Sequence, residues 1–268
     1  MSQPSIHEAA YQCLMQADVM SKVAEAQTLY QQYAQEQPLL HSSQVAVQRV
    51  QVPGRPDKPV LVSPQSVKSR KLTTPEGRAT LVHAVAHIEF NAINLALDAV
   101  YRFQSMPDQF YRDWLQVAAE EAKHFSLLQA RLQAMGYQYG DMPAHNGLWE
   151  MAVKTDHDVL IRMALVPRVL EARGLDVTPG MIQRLEQVGD VETVSILHVI
   201  LEEEIGHVAI GSRWFKYCCE LQKIEPESTF RALLKEYMGG GLRGPFHTQA
   251  RLQAGFTEQE MDRLSTLA

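Results

Sequence analysis

The chain has 268 residues, 46% of them apolar and 21% charged, with a formal net charge of −6 at pH 7. That is enough apolar side chain for a sizeable core, and the acidic balance argues against a globally basic, DNA-binding surface. Cys13, Cys218 and Cys219 form neither a C-x-x-C motif nor a disulfide framework, which points to a reducing compartment. The opening MSQPSIHEAA lacks a signal-peptide pattern, and no apolar run reaches the ~18 residues of a membrane span. A cytoplasmic protein with no membrane association is expected.

Residues 5 to 36, rich in Ala, Gln and Glu, read as a helix. The stretch QVPGRPDKPVLVSPQSVKSRKLTTPEGR, residues 51 to 78, is broken by Pro and Gly and reads as an extended arm. It carries Arg55, Lys58, Lys68, Arg70, Lys71 and Arg78 against Asp57 and Glu76. Thr74 as N-cap and Pro75 at the first helical position open a long helix to about Phe103. A second spans Pro107 to Met135 and is closed by Gly136. After the connection YQYGDMPAHNGLWE, a third covers Leu148 to Arg173 and ends at Gly174, with a short helix starting near Thr178. Asp190 caps a fourth that runs to about Leu221, and the tail holds two or three shorter helices, one entered through the capping box Thr257 to Glu260. Almost nothing alternates with a strand's period of two, so the fold class is all-α. The expected organisation is an N-terminal helix and arm over 1–74, a four-helix bundle over 75–221 and a helical extension over 222–268.

Acidic residues interrupt the apolar stripes of all four long helices. On the second, Glu121 and His124 share a face with Trp114, Val117, Phe125 and Leu128; on the fourth, Glu204 and His207 share one with Leu197, Ile200, Val208 and Trp214. Glu89 stands alone among Val82, Val85, Ile93 and Ala96 on the first, and Glu171 stands with Leu160, Ala164 and Leu170 on the third. Carboxylates in a bundle core each cost several kcal/mol if ionised and uncompensated. Two divalent cations would neutralise the four, with two neutral histidines completing the ligand set. The order reinforces this: Glu89 precedes Glu121 by 32 residues, Glu171 precedes Glu204 by 33, and 50 residues separate Glu121 from Glu171. Two helix hairpins joined by one long crossover, each giving a lone Glu and a Glu-x-x-His, form the dinuclear carboxylate arrangement of ferritin-like bundles.

Glu120 and Glu203 each precede a ligand histidine by four residues, which suits them to accept its other N–H; the competing reading makes them solvated surface charges. His83, His87 and His198 are expected to face outward. His157 lies about 21 Å from Glu171 along a continuous helix, too far for the same metal. Pro167 removes a helix hydrogen bond and should kink the third helix one turn before Glu171.

The segments HIEFNAINLALDA, DWLQVAAEEAKHF, PRVLEARGLDVTPG and ILEEEIGHVAIGSRWF resemble the ferritin-like superfamily, and in particular a bacterial family of ferritin-like proteins of unassigned function. The ligand layout is similar to that of the tRNA-modifying di-iron monooxygenase. The resemblance implies a ferritin-like four-helix bundle with Glu89, Glu121, His124, Glu171, Glu204 and His207 as metal ligands, Glu121 and Glu204 bridging. It establishes a site and not a substrate.

The expected function is a non-haem di-iron or di-manganese carboxylate oxidoreductase that activates dioxygen and hydroxylates or oxidises a small organic substrate, fed by an external electron donor. Its cofactors are two Fe ions, with Mn or mixed Mn/Fe as the alternative. No catalytic residue beyond the metal site is assigned, and a homodimer is compatible with the sequence. The competing functions are a metal-binding or ferroxidase protein without an organic substrate, or a tRNA-modifying hydroxylase. The arm holds no aromatic residue on which a base could stack, so tRNA is not favoured.

Overall fold

The computed structural model describes residues 5–34, 44–67, 70–240 and 242–266. Among them the chain is all-helical, consistent with an all-α ferritin-like helical bundle; the β-type pairing is a single parallel bridge between Leu61 and Ala144. No helix of the described residues is long and apolar enough to cross a membrane. The chain divides into two compact units, Met1–Val153 and Lys154–Ala268, so the segment 75–221 contributes one set of long helices to each.

In the first unit, α1 (Ile6–Met15) and α2 (Val19–Ala34) replace the single helix expected over 5 to 36, of which residues 35 and 36 lie outside the described residues. The interruption has a local cause. Gln16 is extended, and the carboxylate of Asp18 accepts a bond from Ser21 N at 2.8 Å, which caps the new helix. Helices α3 (Pro75–Arg102) and α4 (Asp108–Ala134) match the expected pair. The Thr74 hydroxyl accepts from Gly77 N at 3.1 Å, and Gly136 adopts a φ of 81° just past the end of α4, a conformation that glycine takes without strain. Helix α1 packs on α3 and α2 on α4.

The arm crosses this unit extended, apart from a short 3₁₀ turn at Pro64–Ser66, and Lys68 falls outside the described residues. It is tied down by Val62 N to Ala144 O at 2.8 Å, Ala144 N to Val60 O at 3.1 Å, and the indole of Trp149, on α5 (Gly147–Lys154), to Gln51 O at 3.0 Å. A buried lysine adds a further tie. The Lys22 ammonium donates to Leu14 O at 2.9 Å, to Gly54 O at 2.6 Å and to the Asn94 side-chain oxygen, joining the end of α1, the arm and α3.

In the second unit the expected helix from Leu148 to Arg173 is not continuous. The chain leaves α5, turns at Thr155–Asp158 and restarts as α6 (Val159–Leu165), because Asp158 Oδ1 accepts from Leu160 N at 2.7 Å and Ile161 N at 3.2 Å. A π-helical segment, Val166–Glu171, follows, and α7 (Ala172–Gln187) then runs through Gly174 and Pro179, where an end and a new start were expected. Leu175, Ile182 and Leu185 are buried along one face of α7, and that packing outweighs the poor helix propensity of the two residues. Helix α8 (Val191–Gln222) starts at Asp190 as expected, and both α6 and α7 pack against it. At Gly211 a Cβ would collide with the Pro167 ring, so the glycine admits the proline of the π segment. The tail forms α9 (Pro226–Met238), α10 (Thr248–Gln253) and α11 (Glu258–Thr266). The capping box at α11 is formed by Thr257 N to Glu260 Oε2 at 2.8 Å and Glu260 N to Thr257 Oγ1 at 3.0 Å.

Candidate metal centre

Helices α3 and α4 bring Glu89, Glu121 and His124 together, all buried, with ligand atoms within 4.8 Å of one another. One imidazole nitrogen faces both acids: His124 Nδ1 lies 3.2 Å from Glu89 Oε2 and 3.3 Å from Glu121 Oε2. Trp114, Val117, Ala118, Phe125 and Leu128 on α4 are buried and give the acids little solvent. Burial, reinforced by the charge of Glu121, pushes the Glu89 carboxyl above the ordinary carboxylate range. Burial alone would lower His124, but hydrogen bonds and charge from Glu121 and Glu89 outweigh it and raise the imidazole. Two acids thus compete for one compensating positive charge in a site closed to water. Carboxylate oxygens with an imidazole nitrogen are donors that divalent first-row ions accept, so the residues fit such an ion.

The second unit repeats the motif. On α8, His207 Nδ1 stands 3.6 Å from Glu204 Oε2, the same pair of atoms that meets in the first unit's Glu-x-x-His. Both residues are buried, and Glu204 Oε2 makes no hydrogen bond. Each of Glu89, Glu121, His124 and Glu204 is buried and offers a ligand atom that could hold a metal ion. Glu171 is also buried and sits at the last position of the π-helical segment. Pro167 therefore does more than kink a helix: it lies inside a widened turn, a feature found disproportionately at functional sites. Glu120 and Glu203 are half-buried, and Glu120 accepts from Gln116 Nε2 at 2.9 Å.

The tail holds the chain on both sides of Glu171. Arg168 is fully buried, its guanidinium 4.8, 4.3 and 4.5 Å from the ring centroids of Phe215, Phe230 and Phe256, and it donates to Glu260 Oε1 at 2.6 Å. Beyond Glu171, Arg251 donates to both oxygens of Asp176, at 2.9 and 2.7 Å, and Arg173 reaches Arg243 O at 3.0 Å. Nothing in the sequence links Arg168 to Glu260, since a lone Arg and a capping-box Glu carry no signal that they meet. The outward placement of two histidines is corrected: His83 and His87 are buried, whereas His198 is exposed as expected. His83 Nε2 accepts from Gly140 N at 2.9 Å, and His87 Nδ1 meets the Tyr139 hydroxyl at 2.8 Å. The face of α3 away from Glu89 is covered by the loop after α4, which an outward placement leaves out. His157 is exposed and lies in the turn before α6, so no continuous helix connects it to Glu171.

Two sets of helices, each carrying a lone buried carboxylate and a buried Glu-x-x-His pair, define an all-helical protein whose buried Glu and His residues could bind a metal ion. The chain belongs to the family described as Protein of unknown function (DUF455), whose model matches residues 15–262. It is 50% identical over 214 residues to a Haemophilus influenzae (strain Rd) protein described as uncharacterized, a match that covers 77% of this chain and 74% of that protein. No solved structure matches it significantly.

Proposed function

We propose that Glu89, Glu121, His124, Glu171, Glu204 and His207 are the ligands of two metal ions of the ferritin-like type, and that the protein is a dioxygen-activating oxidoreductase. Iron is the first choice of metal, with manganese or a mixed pair as the alternative. The observation that carries this reading is the buried pair Glu89 and Glu121 sharing one imidazole nitrogen, a cluster short of positive charge and closed to water. Four carboxylates balance two divalent ions. When bound, the ions supply the electrons that reduce dioxygen, replenished by an external donor. The chain's own residues hold and orient: Glu121 and Glu204 sit one turn before their histidines, the apolar α4 face excludes water, and the half-buried Glu120 and Glu203, each four residues before a histidine, would accept the N–H of its far nitrogen.

The substrate we assign is a small organic molecule and not tRNA. Three of the arm's basic residues are engaged within the chain: Arg55 donates to Pro56 O at 3.2 Å, Arg78 donates to Leu72 O at 3.0 Å, and Arg70 pairs with Glu76 at 2.9 Å. That supports a cover over the first unit more than a phosphate-binding strip. The test is dioxygen uptake by the iron-loaded, chemically reduced protein under repeated addition of reductant. Continued uptake that couples to oxidation of an added organic compound supports the oxidoreductase. Uptake that stops after one oxidation of the bound iron, and resumes only with fresh Fe(II), supports a ferroxidase.

A further inference from the structure

Helix α3 carries a second buried face, and it is polar. His83, His87, Asn91 and Asn94 follow at helical spacing, all buried, on the side covered by the arm and by the loop that holds Tyr139. Between the arm and this face lies a narrow cleft with room for about one water molecule. It is lined by His87, Phe90, Asn91 and Asn94 of α3, by Tyr139, and by Arg55 and three prolines, Pro53, Pro56 and Pro59, of the arm.

One donor in this wall is unmet. Asn94 is fully buried, and Lys22 donates to its Oδ1, which fixes the amide's direction and leaves Nδ2 without a hydrogen-bond partner. A buried N–H without an acceptor is costly, and an arriving oxygen would satisfy it. Tyr139 can supply a second donor. His87 Nε2 stands 3.2 Å from His145 O and 3.1 Å from Asn91 Nδ2, so it can either donate or accept. When it accepts from Asn91, Nδ1 carries the hydrogen and bonds to the Tyr139 oxygen, which frees the hydroxyl hydrogen for a ligand. Among the described residues no acidic side chain lines the cleft, while Arg55 lies in its wall and the Lys22 ammonium stands behind Asn94. The wall thus offers donors and positive charge, and its proline side offers an apolar bed.

We propose that this cleft binds the carboxylate group of a small organic acid. The carboxylate oxygens accept from Asn94 Nδ2, Tyr139 and Arg55, and the apolar remainder lies along the arm's prolines, which move outward to admit it. The narrow inner space suits a planar carboxylate better than a tetrahedral phosphate. The site is carried by the first unit alone and does not depend on what the metal centre does.

Acetate is the probe, added to the full-length, metal-loaded protein at pH 6.5 and constant ionic strength, with chloride and phosphate as comparison anions. At acetate concentrations well above its dissociation constant the melting temperature should rise by on the order of 3 °C, and the carbon signal of ¹³C-labelled acetate should broaden. Asn94→Asp keeps the acceptor for Lys22 while replacing the donor by a negative charge, so it should fold as well as the wild type and lose both effects. Arg55→Gln should weaken acetate about tenfold or more. An acetate effect that persists in Asn94→Asp, an equal effect from phosphate or chloride, or no effect in the wild type would overturn the proposal; the last outcome leaves the cleft as a water site only.

Discussion

Arg168 Nη2 donates to Glu260 Oε1 at 2.6 Å, in a place where neither side chain meets solvent to any extent. The pair joins the π-helical segment to α11, three residues before Glu171. Removing the negative partner leaves a buried guanidinium stacked on the rings of Phe215, Phe230 and Phe256 with its charge uncompensated by an acid. Glu260→Gln should therefore destabilise the protein by about 3 kcal/mol, read by urea denaturation. An Arg168→Met, Glu260→Met double variant should recover much of that loss, because an apolar pair carries no desolvation penalty. If the double variant is as unstable as Glu260→Gln, the loss does not come from an uncompensated charge.

Gly211 and Gly206 lie on the same helix and make opposite predictions. A Cβ at Gly211 would strike the Pro167 ring, whereas one at Gly206 would meet nothing within 4 Å. Gly211→Ala should cost about 1–3 kcal/mol by overpacking against the π segment. Gly206→Ala should stabilise by about 0.5–1 kcal/mol through helix propensity alone. Equal behaviour of the two variants in thermal unfolding would contradict the assigned contact.

Lys22 sets part of the pH dependence of stability. Burial lowers its pKa from the ordinary 10.5 to about 7, with Cys13 and Glu25 opposing the shift. Between those values the unfolded chain holds the proton and the folded chain releases it, so this group's contribution to stability rises with pH across the window. Against Lys22→Met, wild-type unfolding free energy should climb between pH 7.5 and 9.5 by an amount on the order of 1 kcal/mol or more. Parallel pH profiles of the two proteins would show that Lys22 does not titrate there.

The long helices were legible because their signals are local: Thr74 with Pro75, Asp190, Gly136 and the 3.6-residue apolar period all lie within the segments they define. The buried acids were legible for the same reason, since Glu89, Glu121 and Glu204 break stripes that are otherwise apolar. Elsewhere two local signals compete or a distant partner decides. Asp158 is a good N-cap inside what looked like one helix, whereas Gly174 and Pro179 look like punctuation and are overridden by packing of Leu175, Ile182 and Leu185. The π segment is invisible to a helical period because it holds one extra residue per turn against α8. Burial of His83 and His87 depends on Tyr139 and Gly140, more than 50 residues away, and no periodicity within α3 announces it.

The most direct measurement is metal content per chain after anaerobic loading with Fe(II) and removal of unbound metal. About two ions are expected for the wild type and for His198→Ala, whose side chain is exposed. A clear loss is expected in Glu89→Ala, His124→Ala, Glu171→Ala and His207→Ala, accompanied in the chelator-treated wild type by a lower melting temperature. Wild-type protein that retains no iron or manganese and melts at the same temperature with and without chelator would contradict the two-ion centre, as would ligand variants that keep the full complement.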